Sequence, residues 1–240
     1  MAAIVPKLPL LLGVGAIATI VSLLAIRHAT AIRDITFPTA ETPPLVMKGG
    51  NPYVRALMRT ISASEASDNR PYSLIYGGER FNDFSRHPGK CVPIRGGPNR
   101  GKCSTAAGRY QTIDVTWREI ARRYHPQPNN MLQRLLAGAD YNFAPEYQDI
   151  VVYRWLKDKN AWGVDITSAL CRNDIDAVRR RLSSTWTSLG YGIEDNFITP
   201  RLPAIYRRVL VEELQNLPEG NSANSCADIP LSLSMNPPLK

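Results

Sequence analysis

The chain is short of the residues that bind metals or run redox chemistry. It has three histidines (His28, His87, His125) and four cysteines (Cys91, Cys103, Cys171, Cys226) in 240 residues. No two cysteines form a CxxC pair, and no histidine stands at metal-ligand spacing from them, so no metal centre and no dithiol motif is expected. Internal repeats are lacking too. A hydrophobic content of 44% fits one domain of moderate size with its own core. Acidic residues are in deficit: 21 Asp and Glu stand against 29 Lys and Arg, a formal charge of +8. That balance favours an anionic partner, whether nucleic acid, lipid or cell wall. The tight basic groups are Arg122-Arg123 and Arg179-Arg180-Arg181. Neither is interleaved with base-stacking aromatics, which argues against nucleic acid.

What is present begins with a charge-free run, Leu8 to Ile26. Nineteen residues at about 1.5 Å rise make a helix of about 28 Å, close to the thickness of a bilayer's hydrocarbon layer. A membrane anchor over residues 1–27 is the favoured reading. A cleaved signal peptide is the alternative, since Ala29-Thr30-Ala31 has the small-x-small form of a cleavage site. The cysteines point the same way. Cys91 and Cys103 bracket a Gly/Pro-rich loop that a disulfide would close, leaving Cys171 to pair with Cys226; such bonds need an oxidising compartment.

Residues 28–50 read as a linker, residues 51–216 as the folded domain, and 217–240 as an irregular tail. Asn51-Pro52 is a helix start, with Asn able to cap and Pro suited to the first turn. Val54, Leu57, Met58 and Ile61 then follow the i, i+3, i+4, i+7 rule for one helix face. A second helix is expected from Asp114, a third from Pro145 through Lys157, a fourth over Asp174 to Leu182, and a last one from Thr199-Pro200. A short apolar piece lies around Leu132 to Leu136. Tyr72 to Phe84, turning at Gly77-Gly78, reads as a short β-hairpin. The sum is an α+β domain dominated by helix.

Glu65 continues the apolar face of the first helix, four residues after Ile61. Two readings stay open on periodicity. A carboxyl at the end of a buried stripe is costly to ionise, so its pKa would rise towards that of a general acid. A solvated residue at a finished helix end would do nothing special.

Several segments resemble a known family, the phage-lambda-type endolysins, a lysozyme-like group of lytic transglycosylases acting on peptidoglycan. They are SEASDN (64–69), YGGERFNDFSRHP (76–88), AGRYQ (107–111), PEYQD (145–149) and Trp186…Ser188-Leu189…Tyr191-Gly192. They occur in the family's order and cover roughly residues 52 to 213. The resemblance implies a lysozyme-like fold and makes Glu65 the catalytic acid. It also implies that Tyr110 and Gln111 seat the sugar, with Asp83 and Tyr191 as further substrate contacts. For Tyr110 a place in the core is the alternative. Ser73 stands where the family carries an Asp before the Gly-Gly pair, so no role of that Asp carries over.

The implied reaction cuts the bond between N-acetylmuramic acid (MurNAc) and N-acetylglucosamine (GlcNAc). Without a second carboxylate, the muramic C6 hydroxyl can attack C1 and leave a 1,6-anhydro end. A hydrolytic lysozyme and a non-catalytic peptidoglycan-binding protein are the alternatives. Asp68, Glu79 and Asp83 are the carboxylates close enough in sequence to consider as partners. No cofactor and no obligate protein partner is expected. The expected location is the bacterial inner membrane with the domain in the periplasm, or secretion after cleavage.

Overall fold

The computed structural model describes residues 42–97, 99–126, 141–191 and 196–217. The apolar run 8–26, the piece around Leu132 to Leu136, the tail from 218 and Cys226 lie outside these residues. Among the described residues, no helix is long and apolar enough to cross a membrane.

The first helix, α1 (Pro52–Glu65), forms where the pattern predicts. Asn51 caps it, its Oδ1 accepting from Tyr53 N at 3.0 Å and Val54 N at 3.3 Å. Val54, Leu57, Met58 and Ile61 are each 0% exposed, so the stripe is the centre of the core. Arg59 is buried on the same helix. A guanidinium can be buried only with partners, and it has them: Glu213 Oε1 at 2.9 Å, Glu212 Oε2 at 2.5 Å and the Thr42 carbonyl at 2.6 Å.

Among the described residues six further helices follow: α2 (Asp114–Tyr124), α3 (Pro145–Lys157), α4 (Lys159–Trp162), α5 (Ile166–Cys171), α6 (Ile175–Leu182) and α7 (Leu202–Gln215). α1 packs on α7 most extensively, and also on α3, α5 and the 3-10 turn Thr187–Leu189. Asp174 caps α6 rather than opening it, accepting from Ala177 N at 3.2 Å. Asp114 is the first residue of α2, and its Oδ1 accepts from Thr105 Oγ1 at 2.8 Å.

The hairpin differs from expectation. Regular antiparallel strands occur at β1 (Val92–Pro93) and β2 (Cys103–Ser104), flanking the expected Cys91–Cys103 disulfide. Tyr72 to Phe84 turns at Gly77 and Gly78, both at positive φ, but keeps a single bridge, Leu74 with Arg80. The reason is competition for the backbone. Tyr76 N donates to Ala106 O, and Gly108 N donates to Leu74 O, so the strand joins the AGRYQ loop instead of lengthening the hairpin. Cys171 is also disulfide-bonded.

Residues 42–50, expected as the end of the linker, belong to the folded unit. Leu45 and Met47 are buried, and Asn51 N donates to Tyr153 Oη at 2.8 Å. Apolar side chains and bonded backbone groups hold this strap down in spite of its prolines and glycines.

Candidate active site

Glu65 is the last residue of α1 and is half-buried. The chain turns away at Ala66, whose N–H returns to Ser62 O at 2.8 Å. Glu65 Oε1 hydrogen-bonds Ser188 Oγ. Ser188 lies in the Thr187–Leu189 turn, is buried, and also stands 3.0 Å from Ser64 Oγ. Ser64 Oγ itself donates to Ile61 O at 2.9 Å. Thr199 Oγ1 donates to Ser188 O at 2.9 Å, and Asn196 Nδ2 reaches Ser64 O at 3.4 Å. Ser188 and Asn196 thus meet the C-terminal end of α1 through polar atoms, at the one place where that helix presents a carboxyl.

The three neighbouring carboxylates in sequence are each engaged. Asp68 takes both oxygens to Arg80 Nη2, at 2.8 and 2.7 Å, and accepts from Arg70 N at 2.6 Å. The Arg80 hydrogen bonds hold its pKa below the usual carboxylate value. Glu79 is exposed and ion-paired with Lys90. Asp83 is exposed and forms a local turn, accepting from Ser85 N at 2.9 Å; these bonds to Ser85 lower its pKa.

The AGRYQ loop is tight. Gly108 has φ +73 and Gln111 φ +44. Gln111 is half-buried, and its Nε2 donates to Gly108 O at 2.9 Å and Leu74 O at 3.3 Å. Tyr110, expected against the sugar, is 2% exposed and lies in the core. Its hydroxyl donates to Asp149 Oδ1 at 2.6 Å, and its carbonyl accepts from Trp186 Nε1 at 3.0 Å. Burial raises its pKa well above the usual phenol value. Tyr191 is 39% exposed with φ +72. Its hydroxyl donates to Asp176 O at 3.2 Å, and the Arg180 guanidinium stands 4.4 Å from its ring centroid.

With this geometry in place, similarity to known proteins decides the family. The family model described as Endolysin matches residues 55–210. The chain belongs to the endolysin family. It is 31% identical over 148 residues to the endolysin of Escherichia phage lambda, spanning 58% of this chain and 79% of that protein. Among solved structures it is similar to bacteriophage lambda lysozyme complexed with a chitohexasaccharide (30% identity, TM-score 0.45) and to lysozyme from bacteriophage lambda (27%, 0.46); each comparison covers 66% of this chain and 94% of the other. As a member of the endolysin family the protein is an enzyme of the peptidoglycan-cleaving class.

The endolysin match includes two residues that sequence reasoning did not single out. Ser188 had a signal, since it stands in the family's Trp186 segment, but nothing in the sequence ties it to Glu65, 123 positions away. Asp149 stood in PEYQD, yet its role as a buried hub needs the fold. It accepts from Val46 N (2.8 Å), Met47 N (3.1 Å), Tyr72 Oη (2.7 Å) and Tyr110 Oη (2.6 Å).

Proposed function

We propose that this endolysin-family enzyme cuts the MurNAc–GlcNAc bond as a lytic transglycosylase, with Glu65 as general acid and then general base. The observation that carries the reading is the standing of the carboxylates. Glu65 closes the core helix, half-buried and held by Ser188, whereas Asp68, Glu79 and Asp83 are committed to Arg80, Lys90 and Ser85.

Protonated Glu65 donates to the bridging oxygen as positive charge builds at C1. Hydrolysis would then call for a second carboxylate about 5–9 Å away to act on water or on C1. With the nearby candidates engaged, the muramic C6 hydroxyl attacks C1 instead, and ionised Glu65 takes its proton. The C1–O bond to the leaving sugar breaks, the C1–O6 bond forms, and the proton budget closes on Glu65. Gln111 and Tyr191 supply polar and aromatic contacts to the glycan, with Asp83 at the rim. Tyr110 acts from below, by holding this loop to Asp149 and Trp186.

Residues 8–26 anchor the chain in the bacterial inner membrane, and the catalytic domain works on the wall side. The Cys91–Cys103 disulfide supports an oxidising compartment. Two measurements test the proposal. Glu65→Gln should abolish clearing of a peptidoglycan gel with the fold intact; retained clearing refutes the role of Glu65. Mass spectrometry of the wild-type digest should find anhydro ends, about 18 Da (one water) lighter than the hydrolysed product of the same cut; hydrolysed ends alone would refute transglycosylation.

A further inference from the structure

We propose that Ser188 is the positioning residue of Glu65, a hydroxyl that reverses its hydrogen bond as the carboxyl gains and loses its proton. The inference builds on the reading of Glu65 as acid and base. It rests on three oxygens and the protons available to them. Ser188 Oγ is within hydrogen-bond distance of both Glu65 Oε1 and Ser64 Oγ. Ser64 Oγ is placed to donate its one proton to Ile61 O at 2.9 Å, which leaves it the acceptor towards Ser188.

Ser188 also has one proton and therefore two arrangements. With Glu65 ionised, Ser188 donates to Oε1. With Glu65 protonated on Oε1, the carboxyl donates to Ser188 Oγ, and the Ser188 proton turns to Ser64 Oγ. Every proton has an acceptor in both states. In the substrate-free enzyme the carboxyl thus keeps one partner in both protonation states; when glycan is bound, its proton passes to the bridging oxygen and Ser188 turns back to donate to the ionised Oε1.

The rest of the turn is suited to this task. Ser188 is 6% exposed, and Thr199 Oγ1 holds its carbonyl from the other side at 2.9 Å. The Thr187–Leu189 turn carries no titratable side chain, and in α5 Cys171 is disulfide-bonded. α7 brings Glu212 and Glu213, paired with Arg59 and Arg55 nearer the start of α1. α3 brings Asp149, which accepts from Tyr72 and Tyr110. Asp68 and Arg80, just beyond Glu65, neutralise each other.

The test is the pKa of the Glu65 side-chain carboxyl, followed by carbon NMR and assigned by loss of its signal in Glu65→Gln. Ser64→Ala removes the acceptor that only the protonated state uses, so the pKa should fall by about half a unit or more. Ser188→Ala removes the donor to the charged state, whose bond is the stronger, so the pKa should rise. Its kcat should fall at least about tenfold, with KM within about twofold. A packing role alone gives no reason for shifts of opposite sign. An unmoved pKa in Ser64→Ala, or shifts of the same sign, overturns the proposal. Should Ser188→Ala lose its fold, the Ser64→Ala shift decides alone. Activity of Glu65→Gln separates the two questions: full activity there, with opposite pKa shifts, would leave the hydroxyl reversal standing and remove the catalytic reading.

Discussion

Tyr110 and Asp149 meet in the interior, where the phenol donates a 2.6 Å hydrogen bond to a carboxylate that is 0% exposed. Asp149 takes three further donors, two of them backbone N–H groups of the 42–50 strap. Arg109 adds the countercharge. It donates to Tyr72 Oη at 3.0 Å and to the carbonyls of Pro44 at 3.0 Å and Pro43 at 2.5 Å. A buried carboxylate is tolerable only when saturated in this way. One cluster therefore joins the strap, α3 and the AGRYQ loop, and the Trp186 bond to Tyr110 carries it on to the segment that holds Glu65.

If Tyr110 supports the site from within, Tyr110→Phe should cost about 1–3 kcal/mol of stability. KM for peptidoglycan should stay within about twofold. Urea denaturation and steady-state kinetics read the two effects separately. A raised KM at unchanged stability would put the ring against the sugar instead.

Gly108 is required by its surroundings. A Cβ there would stand 2.3 Å from Gln148 Oε1 and 2.8 Å from Phe143, at φ +73. The same Gln148 oxygen accepts from Arg109 N at 2.9 Å. Gly108→Ala should lower stability by about 2–4 kcal/mol, measured by thermal melting, and activity should fall with it. An unchanged melting temperature would contradict the packing described.

The Cys91–Cys103 bond closes a short loop, with a sequence separation of 12. Replacing both cysteines by serine should remove about 2–3 kcal/mol on chain-entropy grounds. Chemical denaturation of the purified variant checks this. No loss would mean that β1 and β2 order the loop by themselves.

His125 should make the protein acid-sensitive. It sits between Tyr141 and Tyr147, with ring centroids at 5.6 and 4.5 Å, and burial pushes its pKa down to about 4. The unfolded chain binds a proton near pH 6.5 that the folded chain refuses. This stability is therefore fully present above the unfolded value and is lost as pH falls from there through about 4. His87, lowered by burial in the same direction, adds to the slope. His125→Gln should flatten the decline of unfolding free energy across that window. An identical slope in the variant would refute the assignment.

Local signals were legible wherever one segment decided its own structure. Asn51-Pro52 and the 54–61 stripe fixed α1, Pro145 opened α3, and the cysteine spacing pointed to the closed loop. The hairpin was legible as a turn but not as a ladder, because the backbone of Leu74 and Tyr76 is shared with the 106–108 loop. The strap is not legible as part of the fold, because composition reports solubility and says nothing about the Asp149 and Arg109 groups that bind its backbone.

At the site the division is the same. The sequence by itself determined that Glu65 ends an apolar helix within family motifs, since helical periodicity and motif spacing are properties of neighbouring residues. It also placed Tyr110 in the right loop without saying which way the ring turns. Only the tertiary structure decided that Tyr110 faces inward, that Asp68 belongs to Arg80, and that Ser188 belongs to Glu65. Hydrogen bonds between residues far apart in sequence depend on how helices and turns come together, and that geometry exists only once the core has packed.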